Sequence, residues 1–257
     1  MGESERRVAV AGDDERAETL REAVRATGAD VVGSTPVDAT LAVGDAAVRT
    51  ALSDAPPEPV IPVGGHRLAF GLDEVTDRID RVLAALRSDP GPTDRPVDGV
   101  ARVTHPVLAV DAGTGPVRRA VADVALVTAE PARISEFAVG FRRGREESFR
   151  ADGVVVATPF GSDGYANAAG GPVVEPDGGL AVVPVAPFST RTDARIAVDR
   201  VRLSVERETE PVSLVVDGAV RETVDPRRPV EIETVDRVEA IVPGATGVRR
   251  AQRSETL

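Results

Sequence analysis

The chain of 257 residues contains no Cys, no Trp and no Lys. Without Cys there are no disulfides and no thiolate metal sites. All 31 basic residues are Arg, which excludes chemistry that needs a lysine: a Schiff base, a Walker-type phosphate lysine, a kinase strand lysine. Two His do not suffice for a zinc centre built on three histidines. One Tyr and an aromatic content of 3% exclude a surface rich in base-stacking rings. Side-chain amides are equally scarce, Asn167 being the only Asn and Gln252 the only Gln. Acidic residues outnumber basic ones and the net charge is −11, so polyanionic nucleic acid is a poor partner. The same balance is that expected of a halophilic protein in a high-salt cytoplasm. At 1 M salt the Debye length is about 3 Å, short enough to screen the self-repulsion of such a surface. Met1 to Arg7 is charged and has no apolar signal core, and no apolar run is long enough to span a bilayer. The expectation is a soluble, cytoplasmic protein with no membrane partner.

What is present falls into two textures. Up to residue 95, short apolar runs alternate with amphipathic stretches. Arg7 to Ala11, Asp30 to Val32, Ala39 to Gly44 and Pro59 to Val63 read as strands. Asp13 or Asp14 can cap a helix carrying Ala17, Leu20, Ala23 and Val24. A second helix runs through Val48 to Leu52, and Leu72 to Leu86 reads as a third. This order predicts an open parallel sheet with helices on both faces, an α/β nucleotide-binding domain over 1–95. Ser88 to Val97 is rich in Pro, Gly and Asp and reads as a linker. Over 96–257 the pattern is mostly β. It contains strands at Ala101 to Val110, Asp123 to Thr128, Ile134 to Phe141, Gly153 to Ala157 and Leu180 to Val185. Further strands are expected at Arg195 to Ser204, Val212 to Val216, Val230 to Glu233 and Val238 to Val242, with one short helix in Ser162 to Ala169. Thr246 to Leu257 reads as a polar tail.

Ala151 to Ser189 holds the most specific signal. In order it contains Asp152-Gly153, the apolar run Val154 to Ala157, Thr158-Pro159, Gly161-Ser162, Tyr165, Gly170-Gly171-Pro172, Val183-Pro184, Pro187 and Ser189. This succession resembles the NAD kinase family. Phe137 to Arg150 looks like the hairpin that precedes the family's Gly-Asp-Gly turn. Ser213 to Arg221 looks like its Ser-Val-Asp-Gly hairpin, and Pro59 to Val75 like its Gly-Val-Asn-x-Gly-x-Leu-Gly-Phe-Leu stretch. The resemblance implies an α/β domain followed by a mostly β domain, with the substrate cleft between them. It implies transfer of a phosphoryl group from ATP or polyphosphate to the 2′-hydroxyl of the adenosine ribose of NAD, giving NADP. It also implies a divalent metal, Mg²⁺ or Mn²⁺, accompanying the donor, and a homodimer or homotetramer formed through the β domain.

A hydroxyl needs a base and a transferred phosphoryl group needs close-fitting donors. The family's Gly-Gly-Asp-Gly loop aligns with Val43-Gly44-Asp45-Ala46, which makes Asp45 the implied base and Gly44 and Ala46 its nucleotide-side neighbours. By itself Asp45 reads as a helix N-cap, and only the resemblance favours a site role. Val43 and Ala46 each place a Cβ where the family has glycine, and a displaced phosphate is the expected consequence. The family's Asn-Glu pair aligns with Ala122-Asp123, so an amide has become a methyl. Asp152, Ser162, Asp163, Gly164, Tyr165 and Ala168 complete the nucleotide-binding residues implied by the resemblance. Each also has a plainer reading: a hairpin turn at Asp152, a cap at Asp163, core packing at Tyr165. Phe160 and Asp163 replace small hydroxyl residues of the family, and Asn167 stands one residue before a position usually held by Ser. Gly170-Gly171 reads as close backbone packing, and His66 and His105 as structural. Arg142, Arg143, Arg145 and Arg150 could attract phosphate or balance Glu146 and Glu147. The expected activity is NAD kinase. The alternative is a catalytically impaired paralogue acting as a nucleotide-binding or regulatory module. A kinase for another hydroxyl fits the long match less well.

Overall fold

The computed structural model describes residues 6–33, 36–87, 99–130, 134–142, 144, 146–189, 192–208 and 210–244. The expected linker at Ser88 to Val97 and the polar tail from Thr246 lie outside the described residues, as do Arg143 and Arg145.

The first layer forms as the periodicity predicts. Strands β1 (Arg7–Ala11), β2 (Asp30–Val31), β3 (Ala39–Val43) and β4 (Val60–Val63) pair in parallel in the order β2-β1-β3-β4. Helix α1 (Glu15–Ala26) begins at Asp14, whose carboxylate accepts the Ala17 N–H. Its Ala17, Leu20 and Val24 meet Val8, Leu41 and Ile61 on one face of the sheet. Short helices α3 (Leu72–Asp77) and α4 (Ile79–Ala84) cover the same face through Val75, Val82 and Leu83. On the opposite face α2 (Asp45–Asp54) buries Val48, Ala51 and Leu52 against Ala42 and Val60. The side chains of 41–43 and 60–61 thus alternate between two cores, as strand period demands. The expected single helix at Leu72 to Leu86 is interrupted at Arg78, and nothing in the local sequence marks the break.

The remainder is two packed sheets. One is wholly antiparallel, built of β7 (Asp123–Thr128), β10 (Gly153–Ala157), β11 (Leu180–Val185), β12 (Arg195–Ala197), β14 (Val212–Val216) and β15 (Ala219–Val224). The other continues the parallel sheet. Strand β16 (Val230–Pro243) runs parallel to β4 at Ala240 and antiparallel to β5 (Val100–Asp111) along its length. Towards the far edge follow β13 (Arg200–Arg207), β8 (Ser135–Phe141) and β9 (Glu146–Ala151), while the short β6 (Arg118–Ala120) pairs with β5. Val124, Leu126, Val154, Val156 and Leu214 from the first sheet interlock with Leu108, Phe137, Val139, Leu203 and Ile232 from the second. Burial on this scale, at about 25 cal/mol per Å² of apolar surface, is the main drive holding the two sheets face to face.

The structure departs from the sequence reading in three places. The single strand expected at Arg195 to Ser204 divides into β12 and β13, which lie in different sheets. The two strands expected at Val230 to Glu233 and Val238 to Val242 are one strand, because the polar residues between them stay in the ladder across a register shift. Strands β6, β9 and β15 are edge or near-edge strands with polar sequences (RRA, EESFRA, AVRETV), so apolar alternation does not announce them. The α/β and β portions are joined through β16 and β5, and also by a core containing Leu52 and Leu68 from one side and Val107, Val121, Ala122 and Phe160 from the other.

Candidate functional site

The carboxyl ends of β1, β3 and β4 meet at one edge, the ligand-binding edge of an open parallel sheet. Gly44 leaves β3 with φ +84°, a conformation that L side chains rarely adopt, and the Arg16 guanidinium lies directly over it. Asp45 follows as the first residue of α2 and is exposed. Gly64, just beyond β4, passes beside its Oδ1. Asp45 therefore occupies a helix N-terminus at a sheet edge, where backbone N–H groups and the helix dipole favour anions. Ala46 is exposed next to it. Val43 is different. Its side chain is 5% exposed, belongs to the α1 core and lies where a Cβ on Gly12 would touch it. The displacement of a phosphate expected from a Cβ at 43 is therefore corrected: that Cβ points into the protein, and only Ala46 adds bulk on the open side.

Across the junction stands a short segment held from every side. The carboxylate of Asp217, in the β14–β15 turn, accepts the N–H groups of Val121, Ala122 and Asp123 at 2.8–3.2 Å. The carbonyls of the same segment are taken up too. Thr158 donates its hydroxyl to Val121 O (2.6 Å) and its N–H to Ala122 O (2.9 Å), and His105 Nε2 reaches Val121 O at 2.8 Å. Gly161 presses so closely on the Ala122 carbonyl that any Cβ there would collide with it. Ala122 is buried in the junction core, its methyl offering nothing polar. Asp123, at the start of β7, keeps its carboxylate in a mostly buried position. Burial first, then the Asp217 charge, pushes its pKa up to about 6, while Arg49 on α2 works the other way.

The loop from Thr158 to Ala169 packs over this segment. Ser162 is wholly buried, donating to Pro159 O and accepting the Val174 N–H, both at 2.9 Å. The implied nucleotide-binding hydroxyl of Ser162 is thus engaged in fastening its own loop. Asp163 receives His66 Nε2 at 2.8 Å, and the His66 ring stacks on Phe160 with centroids 3.7 Å apart. His66 Nδ1 accepts the Leu68 N–H, and burial lowers the pKa of the imidazole. With Nδ1 accepting, the neutral ring carries its proton on Nε2, the nitrogen nearest Asp163 Oδ1. Phe160 also meets the edge of His105, whose complete burial lowers its pKa to about 4. Phe160 and Asp163, which read as departures from the family pattern, therefore meet a common partner in His66. Arg67 adds a further tie by donating to Val174 O at 2.8 Å.

Gly164 caps the short helix α5 (Tyr165–Ala168). Tyr165 is 44% exposed, and its hydroxyl pKa is raised by partial burial and then by the charges of Asp152 and Asp123. These three side chains are electrostatic neighbours. Asp152 lies in the β9–β10 turn, where its carbonyl accepts both the N–H and the hydroxyl of Thr128. Ala168 is exposed on α5, and Asn167 donates to Gly171 O at 3.1 Å. Gly171 has no room for a Cβ between Val183 and Ala166. Arg142 pairs with Asp199, and Arg150 lies over the Phe188 ring, so neither joins the site. Among the described residues no group of three or more His, Asp or Glu stands together as a metal centre, and no helix is long and apolar enough to cross a membrane.

Sequence reasoning did not single out Asp217, Arg49 or Thr158 as site residues. Asp217-Gly218 signals a hairpin turn, but nothing local tells that its carboxylate reaches residues some 95 positions earlier.

Comparison with known proteins bears on this arrangement. Residues 121–243 match the family model of the ATP-NAD kinase C-terminal domain. The chain is 34% identical over 137 residues to the bifunctional NADP phosphatase/NAD kinase of Methanocaldococcus jannaschii, covering 52% of this chain and 24% of that protein. It is 30% identical over 163 residues to the NAD kinase of Methanocorpusculum labreanum, covering 62% of this chain and 56% of that protein. The chain thus spans from about a quarter to just over half the length of these curated relatives. An NAD kinase from Archaeoglobus fulgidus in complex with ATP shares the fold with a TM-score of 0.66 at 22% identity, covering 92% of both chains. Yeast NADH kinase complexed with NADH does so with a TM-score of 0.70 at 16% identity, covering 93% of this chain and 84% of that one.

Proposed function

From the premise that this chain belongs to the NAD kinase family, through residues 121–243, we propose that it transfers a phosphoryl group from ATP or polyphosphate to the 2′-hydroxyl of the adenosine ribose of NAD. The observation that carries this reading is the placement of Asp45. An exposed carboxylate begins a helix at the sheet edge, one helical turn before Arg49, which faces the Asp217 turn and Asp123. In the proposed step the 2′-hydroxyl gives its proton to Asp45, its oxygen bonds to phosphorus, and the donor's bridging P–O bond breaks. The first-turn N–H groups of α2 and the Arg16 guanidinium over Gly44 favour phosphate at that edge. Arginine there suits a chain without lysine. Asp123, Asp152 and Tyr165 form the polar lining for the dinucleotide.

The described residues provide no resident metal cluster. A divalent cation fits this site as a companion of the donor's phosphates, the usual habit of Mg²⁺ in phosphoryl transfer. A homo-oligomer, a high-salt cytoplasm as working environment, and a cytoplasmic location belong to the same reading.

Ala122 favours a second reading, a nucleotide-binding module with impaired transfer, because its methyl lies in the junction core where the family places an amide. One experiment separates the two. Purified protein in molar KCl with Mg²⁺, NAD and either donor is assayed for NADP, and NAD and NADP binding is measured by calorimetry. Turnover that Asp45→Asn abolishes supports the kinase. Binding without turnover supports the module, and the absence of any nucleotide binding overturns both.

A further inference from the structure

The mechanism leaves Arg49 without an assigned role. It lies on α2 one turn after Asp45, and its Nη1 donates to the backbone carbonyl of Asp217 at 3.3 Å. Its Nε is buried and has no hydrogen-bond partner. It makes no ion pair with a described residue. A partly buried guanidinium is costly to leave in this condition, so its place needs an explanation.

The Asp217 turn supplies one. Asp217 has φ +49°, a left-handed conformation for a residue with a side chain, followed by Gly218 at +77°. In this turn Asp217 donates its own N–H to Asp123 O (2.9 Å) while its carboxylate collects the three N–H groups of residues 121–123. One side of the turn is therefore fastened to α2 and the other to the segment that carries Asp123. We propose that Arg49 and Asp217 are positioning residues for dinucleotide binding, a relay from the helix that begins at Asp45 to the Asp123 carboxylate, fixing the distance between the two. This proposal rests on the NAD kinase reading for the identity of the ligand, but not for the existence of the relay.

The relay has an electrostatic side. Asp217, Arg49 and Tyr165 are the charged or titratable groups that face Asp123, with the Gly218 N–H as a further donor. Asp217 disfavours the Asp123 carboxylate and Arg49 favours it. Removing Arg49 therefore raises the Asp123 pKa, and removing the Asp217 charge lowers it. A residue that served packing alone would do neither.

The test reads the Asp123 carboxyl directly by ¹³C NMR titration, assigned with Asp123→Asn, without any ligand. It then measures NAD binding by calorimetry at pH 7 and pH 8.5. In the wild type the midpoint is expected near 6. In Arg49→Met, which keeps much of the stem, the midpoint moves up, because the cation that favours the carboxylate is gone. NAD binding then weakens several-fold at pH 7 and recovers in large part at pH 8.5. Arg49→Lys restores the wild-type midpoint. Asp217→Asn moves the midpoint down and weakens binding at both pH values, because the three N–H groups exchange a charged acceptor for a neutral one and the amide NH₂ replaces the second oxygen. A midpoint unmoved in Arg49→Met, or a binding loss that pH does not recover, overturns the proposal. Shifted midpoints in a protein that binds no NAD would overturn the ligand assignment while leaving the relay in place. If Asp217→Asn fails to fold, the Arg49 variants decide the matter alone.

Discussion

The two sides of the junction are built on opposite plans. The α/β side offers Asp45 and Ala46 exposed on a helix start, with little beyond the backbone holding them. The β side offers a segment, Val121 to Asp123, whose three N–H groups and three carbonyls all have partners, packed beneath Phe160 and the Thr158 loop. Under the proposed reading, the open side suits a base that takes a proton from a substrate hydroxyl and passes it on to solvent. The closed side suits a group that must keep its place. Rigid support beneath a reacting site keeps the bound geometry near the one that reacts.

This contrast can be broken at several points. Asp45→Asn should lower turnover by about 10²- to 10⁴-fold, the usual weight of a general base, while the melting temperature stays within a degree or two, as steady-state kinetics and calorimetry would report. Phe160→Ala removes the ring that joins His66 to His105 across the junction. It should cost about 3–5 kcal/mol, measured by denaturant unfolding, with weakened nucleotide binding. On the open side, two substitutions that restore the family's glycines should part company. Val43→Gly empties a core position and should cost about 2–4 kcal/mol without raising turnover. Ala46→Gly, at an exposed position, should cost at most about 1 kcal/mol and raise turnover by letting phosphate approach the backbone.

Asp123 sharpens the comparison through pH. Its folded pKa, about 6, lies above the ordinary carboxyl value of 3.8. The folded protein thus binds this proton more readily than the unfolded chain, and stability from this group is full below about pH 4 and is lost as pH rises through about 6. Asp123→Asn removes the buried charge, so it should gain on the order of 2–3 kcal/mol at pH 8 and nothing at pH 4, while NAD binding declines. Thermal melts across that range, compared with the wild type, would show the gain shrinking with acid. A gain that is constant with pH would exclude the buried charge as its cause.

Much of this molecule was legible along the chain. The parallel order of β1 to β4, the Asp14 cap, and β7, β10, β11 and β14 follow from apolar period and turn residues, because local burial patterns write themselves into adjacent positions. Asp45 at a strand-to-helix transition was legible for the same reason. The polar edge strands bury little, so β6 was missed, and β9 and the start of β15 were reached only through the hairpins of the family resemblance. Val43 and Ala46 looked alike as two lost glycines, and only their opposite faces distinguish them. Phe160 and Asp163 looked like separate departures until His66, almost a hundred residues earlier, was seen against both.

The sequence by itself determined the two textures, the family resemblance and the absence of lysine. Each of these is a property of composition or of neighbouring residues. The tertiary structure alone decided that β16 and β5 weld the two textures into one sheet, that Asp217 holds the segment before Asp123, and that Arg49 ties this turn to the helix of Asp45. Those contacts join positions about 95 to 180 residues apart. A hydrogen bond or charge pair depends on where the folded backbone brings two groups, and no local pattern carries that information.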